Sequence, residues 1–200
     1  SSIRASMAVM TEAQTALLAQ FDHQVRRTAR LMVRPQHMGQ GAVWKLRRLF
    51  IYRGPYLLHL WRQFWSKLGL AGNGDALART FWGKEMLLPV RDSNAGIIRA
   101  YGTLYPEEDG LTRFLIQELS QDSVFYDIGA NYGFYTALAA ELIMEGEIHA
   151  FEPSEHIFPY LEKAVGQTPK IQLNKLALAD TEGDLSFYDC TSDEASGQST

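Results

Sequence analysis

The stretch Val124-Phe-Tyr-Asp-Ile-Gly-Ala-Asn-Tyr-Gly133 decides the fold of this chain. Its first three residues are β-branched or aromatic, which favours a short buried strand. Residues 127–133 then supply Gly and Asn, which tolerate tight backbone turns. Helix-favouring residues follow from Phe134 to Met144. A strand, a glycine-rich turn and a helix in this order predict the opening of a nucleotide-binding βαβ unit.

A second predicted strand, Glu147-Ile-His-Ala-Phe151, leads directly into the acid Glu152. Glu152 follows Asp127 by 25 residues, about where nucleotide-binding folds place a carboxylate on a ribose. The two acceptor oxygens of Glu152 match the two ribose hydroxyls of an adenosine. The alternative interpretation is an ordinary surface carboxylate at the end of a strand.

The spacing of the glycines separates two kinds of nucleotide site. A dinucleotide fingerprint requires G-x-G-x-x-G, but counted from Gly129 the second and third positions hold Asn131 and Phe134. The pattern is instead D-x-G-x-N-x-G, in which Asn131 can adopt a left-handed backbone at modest cost. A nucleotide-dependent oxidoreductase therefore remains only as a weaker alternative.

Three pieces of the sequence resemble the FkbM-type methyltransferases, a family of class I enzymes that use S-adenosylmethionine (SAM). The pieces are Asp127–Tyr135, Ala150–Pro153 and Asn174–Asp180, and the resemblance covers roughly Trp82 to Thr200. It implies an α/β fold with a partial Rossmann-like sheet, because a complete domain of this class has more strands than the three or four predicted here. We therefore expect a fragment or a truncated relative. The resemblance also implies O-methylation of a hydroxyl on a small-molecule or glycan acceptor, such as a sugar or a polyketide-like compound, with SAM as the cofactor.

The resemblance assigns cofactor contacts to nine residues, which are Asp127, Gly129, Ala130, Asn131, Gly133, Glu152, Pro153, Ala177 and Leu178. Asp127 would face the ammonium group of the cofactor, with capping of the following loop or helix as the alternative. Gly129 and Gly133 would let the ligand approach the backbone closely. Ala177 and Leu178 would lie along the adenine.

Other residues around the motifs are weaker candidates. Pro153 would fix the chain direction after Glu152, and Asp180 lies in an Asp-Thr-Glu-Gly segment that is also an ordinary turn. Tyr105 and Glu107 could close over the cofactor. No catalytic residue is predicted, because the base and the acceptor pocket are expected after the third strand.

The remaining reactive residue types indicate no other chemistry. The five histidines show no metal-ligand spacing, and the single cysteine, Cys190, excludes an internal disulfide and a Cys-rich metal site. No G-x-S-x-G is present, so nucleophilic hydrolysis has no support. One cysteine fits a reducing compartment, and we expect a cytoplasmic protein.

The charge distribution divides the chain in two. Residues 1–84 carry 13 Lys and Arg against 3 Asp and Glu, whereas residues 85–200 carry 6 against 20. This split predicts a basic, Trp-rich helical region with a linker at 1–74 and a methyltransferase domain at 75–200. We expect no nucleic-acid partner.

The sequence pattern of the N-terminal region predicts amphipathic helices. Thr11-Glu-Ala-Gln14 predicts a capping box before the first helix. Residues 11–68 combine apolar residues at helical spacing with Lys and Arg, which fits packing on the catalytic domain or another subunit, or contact with a membrane surface. Charges interrupt the stretch too often for a membrane span, and no secretory signal is visible. A non-catalytic module that attaches to a membrane or a partner is the second functional hypothesis.

The other elements follow from local patterns. Glu85–Val90 and Gly96–Tyr101 read as a β-hairpin ahead of the main sheet. Ser154–Val165 predicts a second crossover helix that Pro159 would shorten, and Ile171–Leu176 predicts the third strand. A further strand is expected at Leu185–Tyr188.

Overall fold

The computed structural model describes residues 10–32, 74–90, 92–166, 168–181 and 183. In chain order the elements are α1 (Glu12–Met32), β1 (Asp75–Arg79), β2 (Glu85–Pro89), α2 (Ser93–Tyr101), α3 (Asp109–Glu118), β3 (Val124–Ile128), α4 (Phe134–Leu142), β4 (Glu147–Phe151), α5 (Phe158–Val165) and β5 (Ile171–Asn174). A 3₁₀ turn at Pro106–Glu108 precedes α3. The predicted α/β class is confirmed for this part of the chain.

The central sheet is parallel and has the strand order β3-β4-β5. Val124 lies opposite Glu147 and Ile128 opposite Phe151, so β3 and β4 end level with each other. Phe151 in turn pairs with Asn174 at the end of β5. The segments that follow the three strands therefore meet at one edge of the sheet, which is where open α/β folds bind ligands.

The two crossover helices bury apolar side chains. Helix α4 packs on β3 and β4, and α5 packs on α4 and β2. Pro159 stands in the first turn of α5, which begins at Phe158 rather than at the predicted Ser154 because residues 155–157 form a turn. The shared core includes Met86, Leu88, Ile98, Phe134, Ala137, Leu161 and Val165.

The predicted hairpin is wrong in its second strand. Glu85–Pro89 is a strand, but it pairs antiparallel with Asp75–Arg79, and Ser93–Tyr101 forms a helix. Asp92 caps that helix by accepting the N–H of Ala95 at 2.7 Å, and Gly102 ends it in a left-handed conformation with φ 68°. These two caps override the β-propensity of the isoleucines in the segment.

Helix α1 lies against α3. The predicted capping box is confirmed, since Thr11 N–H donates to Gln14 Oε1 at 2.8 Å and Gln14 N–H donates to Thr11 Oγ1 at 3.2 Å. Phe21 of α1 is fully buried in a cluster with Ile116 and Leu138. An ion pair between Asp22 and Arg113 adds a polar contact between the two helices.

One face of the parallel sheet is open among the described residues. Val124, Tyr126 and Ile128 alternate along β3 and are each more than half exposed. Tyr126 stacks on the His149 ring at a centroid distance of 4.8 Å. The crossover helix α4 thus covers the opposite face of β3, the side on which Asp127 is buried.

Several predicted segments lie outside the described residues. These are the basic stretch 43–68, residues 69–73 of the linker, the strand at Leu185–Tyr188 and Cys190. Among the helices that are described, none combines the length and apolarity needed to cross a membrane.

Candidate functional site

The loop between β3 and α4 has three residues in left-handed conformations. The φ angles are 74° for Gly129, 50° for Asn131 and 82° for Gly133. Asn131 is the only non-glycine residue with a positive φ in the described part of the chain. The prediction that Asn replaces the middle glycine by adopting a left-handed backbone is therefore confirmed.

The main-chain N–H groups of this loop all donate to acceptors within the protein. The pairs are Gly129 to Phe151 O (2.9 Å), Ala130 to Phe151 O (2.9 Å), Asn131 to Glu152 Oε2 (2.9 Å), Tyr132 to Asn131 Oδ1 (2.8 Å) and Gly133 to Ala130 O (2.8 Å). Loops that bind phosphate instead aim their N–H groups at the ligand. The N–H groups of this loop are consequently not arranged to bind an anion.

Glu152 joins the loop to the end of β4. Its side chain is only 6% exposed, and its two oxygens accept the N–H of Asn131 and the N–H of Ser154, both at 2.9 Å. The N–H of Glu152 itself donates to Asn174 O at the end of β5. Each carboxylate oxygen keeps a second lone pair, so the contact with ribose hydroxyls stays a prediction.

Asp127 lies beneath the first turn of α4. It is 8% exposed and accepts the hydroxyl of Thr136. Burial is the largest cause of a raised pKa for the Asp127 carboxyl, the negative charge of Glu152 adds to it, and hydrogen bonds from the Thr136 hydroxyl and N–H oppose it. The capping interpretation describes this contact, and the contact with a cofactor ammonium stays a prediction.

The two buried carboxylates have no counter-cation among the described residues. Within the described residues, no Lys or Arg forms an ion pair with Asp127 or Glu152. Burying a charge without a partner is costly. The site would therefore favour a positively charged ligand group over an anion.

The two predicted ligand-facing glycines have different surroundings. A Cβ on Gly129 would meet no atom within 4 Å, so this position is open to a ligand. A Cβ on Gly133 would come within 2.7 Å of Leu161 Cδ1. A side chain at Gly133 would be strained by the φ of 82° and would displace Leu161, so this glycine also serves the packing of α4 against α5.

The other predicted contacts lie at the same edge of the sheet. Pro153 is half-buried directly after Glu152, and Ala177 and Leu178 are exposed in the segment after β5. Leu176 beside them is also exposed. Asp180 is exposed in a bend further along the chain.

The segment before α3 contains Tyr105 and Glu107, whose contact with the cofactor stays a prediction. The Tyr105 hydroxyl donates to Asn94 Oδ1 at 3.1 Å, and the Glu107 side chain is exposed. The next residue, Glu108, instead accepts the hydroxyl of Tyr135 at 2.9 Å. Glu108 and not Glu107 therefore reaches the start of α4.

Sequence reasoning missed the polar residues that hold the two carboxylates. Thr136 is fully buried within a helix whose inward side is otherwise apolar, and that mismatch was the available signal. Ser154 follows Glu152 by two positions, and its hydroxyl accepts the N–H of Ile157 at 3.1 Å just before α5. A Ser shortly before a helix is an ordinary capping signal.

A separate cavity of about 410 Å³ lies near the amino ends of β3 and β4. Its lining includes Met10, Gln14, Gln121 and Met144. Gln14 is buried there and donates to the main-chain oxygens of Gln117 and Leu119. The motif residues converge at the other end of these strands, so this cavity is not part of the candidate site.

Comparison with known proteins assigns no family. No protein-family model matches the chain, and no curated protein matches it. Among solved structures, it resembles the crystal structure of a "putative transferase" from Pyrococcus horikoshii, with 9% sequence identity and a TM-score of 0.40. The match covers 80% of this chain and 63% of that one, so the chain spans less than two thirds of that protein's length. This similarity is too low to indicate function.

Proposed function

We propose that this chain is part of a SAM-dependent methyltransferase that methylates a hydroxyl group. The observation that carries the proposal is the pair of buried carboxylates, Asp127 and Glu152. The described part of the chain provides no Lys or Arg that forms an ion pair with either of them. The loop that they flank has the D-x-G-x-N-x-G pattern that resembles the FkbM type. The charge and the sequence pattern thus support the same ligand.

The sign of the charge favours SAM. SAM carries a positive ammonium and a positive sulfonium, and an opposite charge nearby stabilises an ionised carboxylate. The raised pKa of Asp127 reflects burial without such a partner. A ligand ammonium beside Asp127 would supply the missing positive charge.

The same features oppose a dinucleotide. A pyrophosphate would bring negative charge to a loop whose N–H groups are already committed to internal acceptors. It would also meet the Asp127 carboxylate at the N-terminus of α4, where an anion normally binds. The oxidoreductase alternative therefore gains no support from the site.

The proposed roles divide among four parts of the site. Asp127 would hold the ammonium group, and Glu152 would accept the ribose hydroxyls with its remaining lone pairs. Gly129 leaves space for the ligand beside the backbone. The exposed apolar side chains of Leu176 and Leu178 offer a surface for the adenine. Bound SAM would supply an electrophilic methyl group, and the protein would contribute mainly by positioning it.

The acceptor rests on the sequence resemblance alone. A hydroxyl on a sugar, glycan or polyketide-like molecule is the acceptor that the resemblance implies. A general base could assist by removing the hydroxyl proton. No described residue is assigned to that role.

Isothermal titration with S-adenosylhomocysteine (SAH) tests the proposal. Folded wild type should bind SAH, Asp127→Asn should bind it about tenfold or more weakly because a charged hydrogen bond is lost, and NAD should give no response. Glu155→Gln, a matched change at an exposed acid that pairs with Lys175, should leave SAH binding unchanged. Absence of SAH binding, or binding of NAD instead, would refute the methyltransferase proposal. The non-catalytic module would then be the better hypothesis.

Membrane contact through the basic N-terminal helices stays a separate prediction. Basic amphipathic segments bind anionic lipid surfaces, and salt weakens that attraction. Sedimentation with anionic liposomes should therefore pull the protein down at low salt and less so at high salt. Protein that stays in the supernatant under both conditions would contradict the prediction.

A further inference from the structure

Two consecutive acids before α3 have opposite orientations. The Glu107 side chain is exposed, whereas Glu108 is half-buried and accepts the Tyr135 hydroxyl at 2.9 Å. Tyr135 lies in the first turn of α4, two residues after the loop glycine Gly133. The hydrogen bond therefore ties the 3₁₀ turn Pro106–Glu108 to the candidate site.

Glu108 is held from two directions. Its side chain is bonded to Tyr135, and its main-chain oxygen accepts the hydroxyl of Thr112 at 3.2 Å. Burial is the main cause of a raised pKa for the Tyr135 hydroxyl, and the charges of Glu108 and Asp127 add to it. Tyr135 thus lies within electrostatic reach of both carboxylates.

We propose that Glu108, held by Tyr135, is a specificity-determining residue that makes the site prefer SAM over SAH. The inference rests on the proposed methyltransferase function. Methyl transfer to a hydroxyl leaves the electron pair of the broken sulfur–carbon bond on sulfur and releases the hydroxyl proton. The ligand consequently loses its sulfonium charge and keeps its ammonium.

A fixed negative charge distinguishes those two ligands by their charge. Asp127 and Glu152 already provide two carboxylates, and Glu108 adds a third, bonded to Tyr135 in the first turn of α4. Its attraction for a positive group is stronger for SAM than for SAH because SAM has one more positive charge. Since Glu108 is only half-buried, solvent screens the effect, and we expect a difference of about three- to tenfold.

The test compares the Kd values of SAM and SAH, measured by isothermal titration. Glu108→Gln removes the charge but retains an amide oxygen that can accept the Tyr135 hydroxyl. It should weaken SAM binding by about three- to tenfold and SAH binding by clearly less. Glu118→Gln makes the same chemical change on an exposed side chain at the end of α3, and it should leave the ratio of the two Kd values unchanged.

A variant of Tyr135, the hydrogen-bond partner of Glu108, provides a second and independent test. Tyr135→Phe keeps the Glu108 charge but removes its anchor, so the ratio should shift in the same direction by a smaller factor. The double variant Glu108→Gln with Tyr135→Phe should shift the ratio no further than Glu108→Gln does, because both changes act through one hydrogen bond.

The outcomes separate this inference from the proposed function. Equal weakening of SAM and SAH by Glu108→Gln would show a merely structural role and overturn the inference. An equal shift of the ratio by Glu118→Gln would also overturn it, since the effect would then come from net charge. A folded wild type that binds neither ligand would refute the methyltransferase proposal itself.

Discussion

The Glu152 carboxylate accepts the main-chain N–H of Asn131, a residue 21 positions earlier in the chain, at a distance of 2.9 Å. The other oxygen of Glu152 accepts the N–H of Ser154. One buried side chain therefore closes the loop after β3 onto the end of β4. The loop geometry depends on this acid even before any ligand is considered.

Replacing Glu152 should destabilise the folded protein. Glu152→Ala removes the carboxylate that accepts the part-buried N–H of Asn131 and the buried N–H of Ser154, which should lower the free energy of unfolding by about 2 to 4 kcal/mol. Glu152→Gln keeps one acceptor oxygen and should cost about half as much. Urea denaturation followed by circular dichroism measures both. Glu155→Ala, which removes a surface pair with Lys175, serves as the control and should cost about 0.5 kcal/mol or less. Equal urea midpoints for Glu152→Ala and Glu155→Ala would contradict the role of Glu152 in holding the loop after β3 to the end of β4.

Replacing Asp127 should stabilise the protein without ligand at neutral pH. The pKa of Asp127 is raised in the folded state above its usual value of 3.8, so the folded state favours the protonated form. Its contribution to stability is fully present below the unfolded pKa and is lost as pH rises through the folded pKa. The side chain of Asp127→Asn does not ionise, so the variant does not lose stability in this way as pH rises. Its melting temperature should therefore exceed that of wild type at pH 7, and the gap should shrink as pH falls towards 3.8. A gap that is constant with pH would argue against this assignment.

The affinity for SAH should depend on the same ionisation of Asp127, but for binding the ionised form is the favourable one. Only the ionised carboxylate of Asp127 attracts an ammonium group, so SAH affinity of the wild type should fall as pH is lowered through the raised pKa of Asp127. Asp127→Asn should bind weakly and with little pH dependence over this range. Titrations at several pH values below 7 measure the effect, and a flat wild-type profile would contradict it.

The two loop glycines should respond differently to alanine. Gly133→Ala combines a left-handed φ of 82° with a contact of 2.7 Å to Leu161, and it should lower the free energy of unfolding by about 2 to 4 kcal/mol. Gly129→Ala has a similar φ but open space, and it should cost only about 1 to 2 kcal/mol. Its larger effect should be on SAH affinity, because its methyl group points into the space left for the ligand. Thermal unfolding and titration on both variants make the comparison. If Gly129→Ala proves the more destabilising of the two, the packing argument for Gly133 is wrong.

The hairpin should depend on a tyrosine of α5. The Tyr160 hydroxyl donates to Asp75 Oδ1 at 2.7 Å, and burial followed by the interaction with Asp75 raises the pKa of Tyr160 to about 12. Tyr160→Phe should lower the free energy of unfolding by about 0.5 to 1 kcal/mol. The difference should be constant below about pH 10, where tyrosine in the unfolded chain ionises, and should disappear as pH rises towards 12. A difference that grows above pH 10 would exclude this explanation.

The sequence predicted the centre of the fold well because its signals there are local. The bounds of β4 agree with the prediction, and β3 and α4 differ from it by only a couple of residues. The left-handed Asn131 could also be foreseen, since few residue types accept that conformation. The carboxyl ends of parallel strands lie at one edge of a sheet. That rule alone predicts a common edge for the three segments that follow these strands, namely 129–133, 152–153 and 177–178.

The incorrect prediction depended on contacts that sequence patterns do not contain. Ile97 and Ile98 favour a strand by propensity, but the Asp92 cap and the burial of Ile98 select a helix. The partner of β2 was missed because Asp75–Arg79 is recognisable only from its pairing register. Likewise, the Gly133 contact with Leu161 requires knowing how two helices pack.

The shared acceptor at Phe151 sets an order of events during synthesis. The N–H groups of Gly129 and Ala130 both donate to this one carbonyl, which leaves the ribosome more than twenty residues after them. Until β4 has emerged and paired with β3, the turn lacks this protein acceptor for the two donors, and only its local bonds, Tyr132 N–H to Asn131 Oδ1 and Gly133 N–H to Ala130 O, hold it. An isolated peptide spanning Val124–Leu142 should therefore lack the loop conformation, whatever helix it forms. The loop at this edge of the sheet is therefore completed by β4 and is not formed by β3 alone.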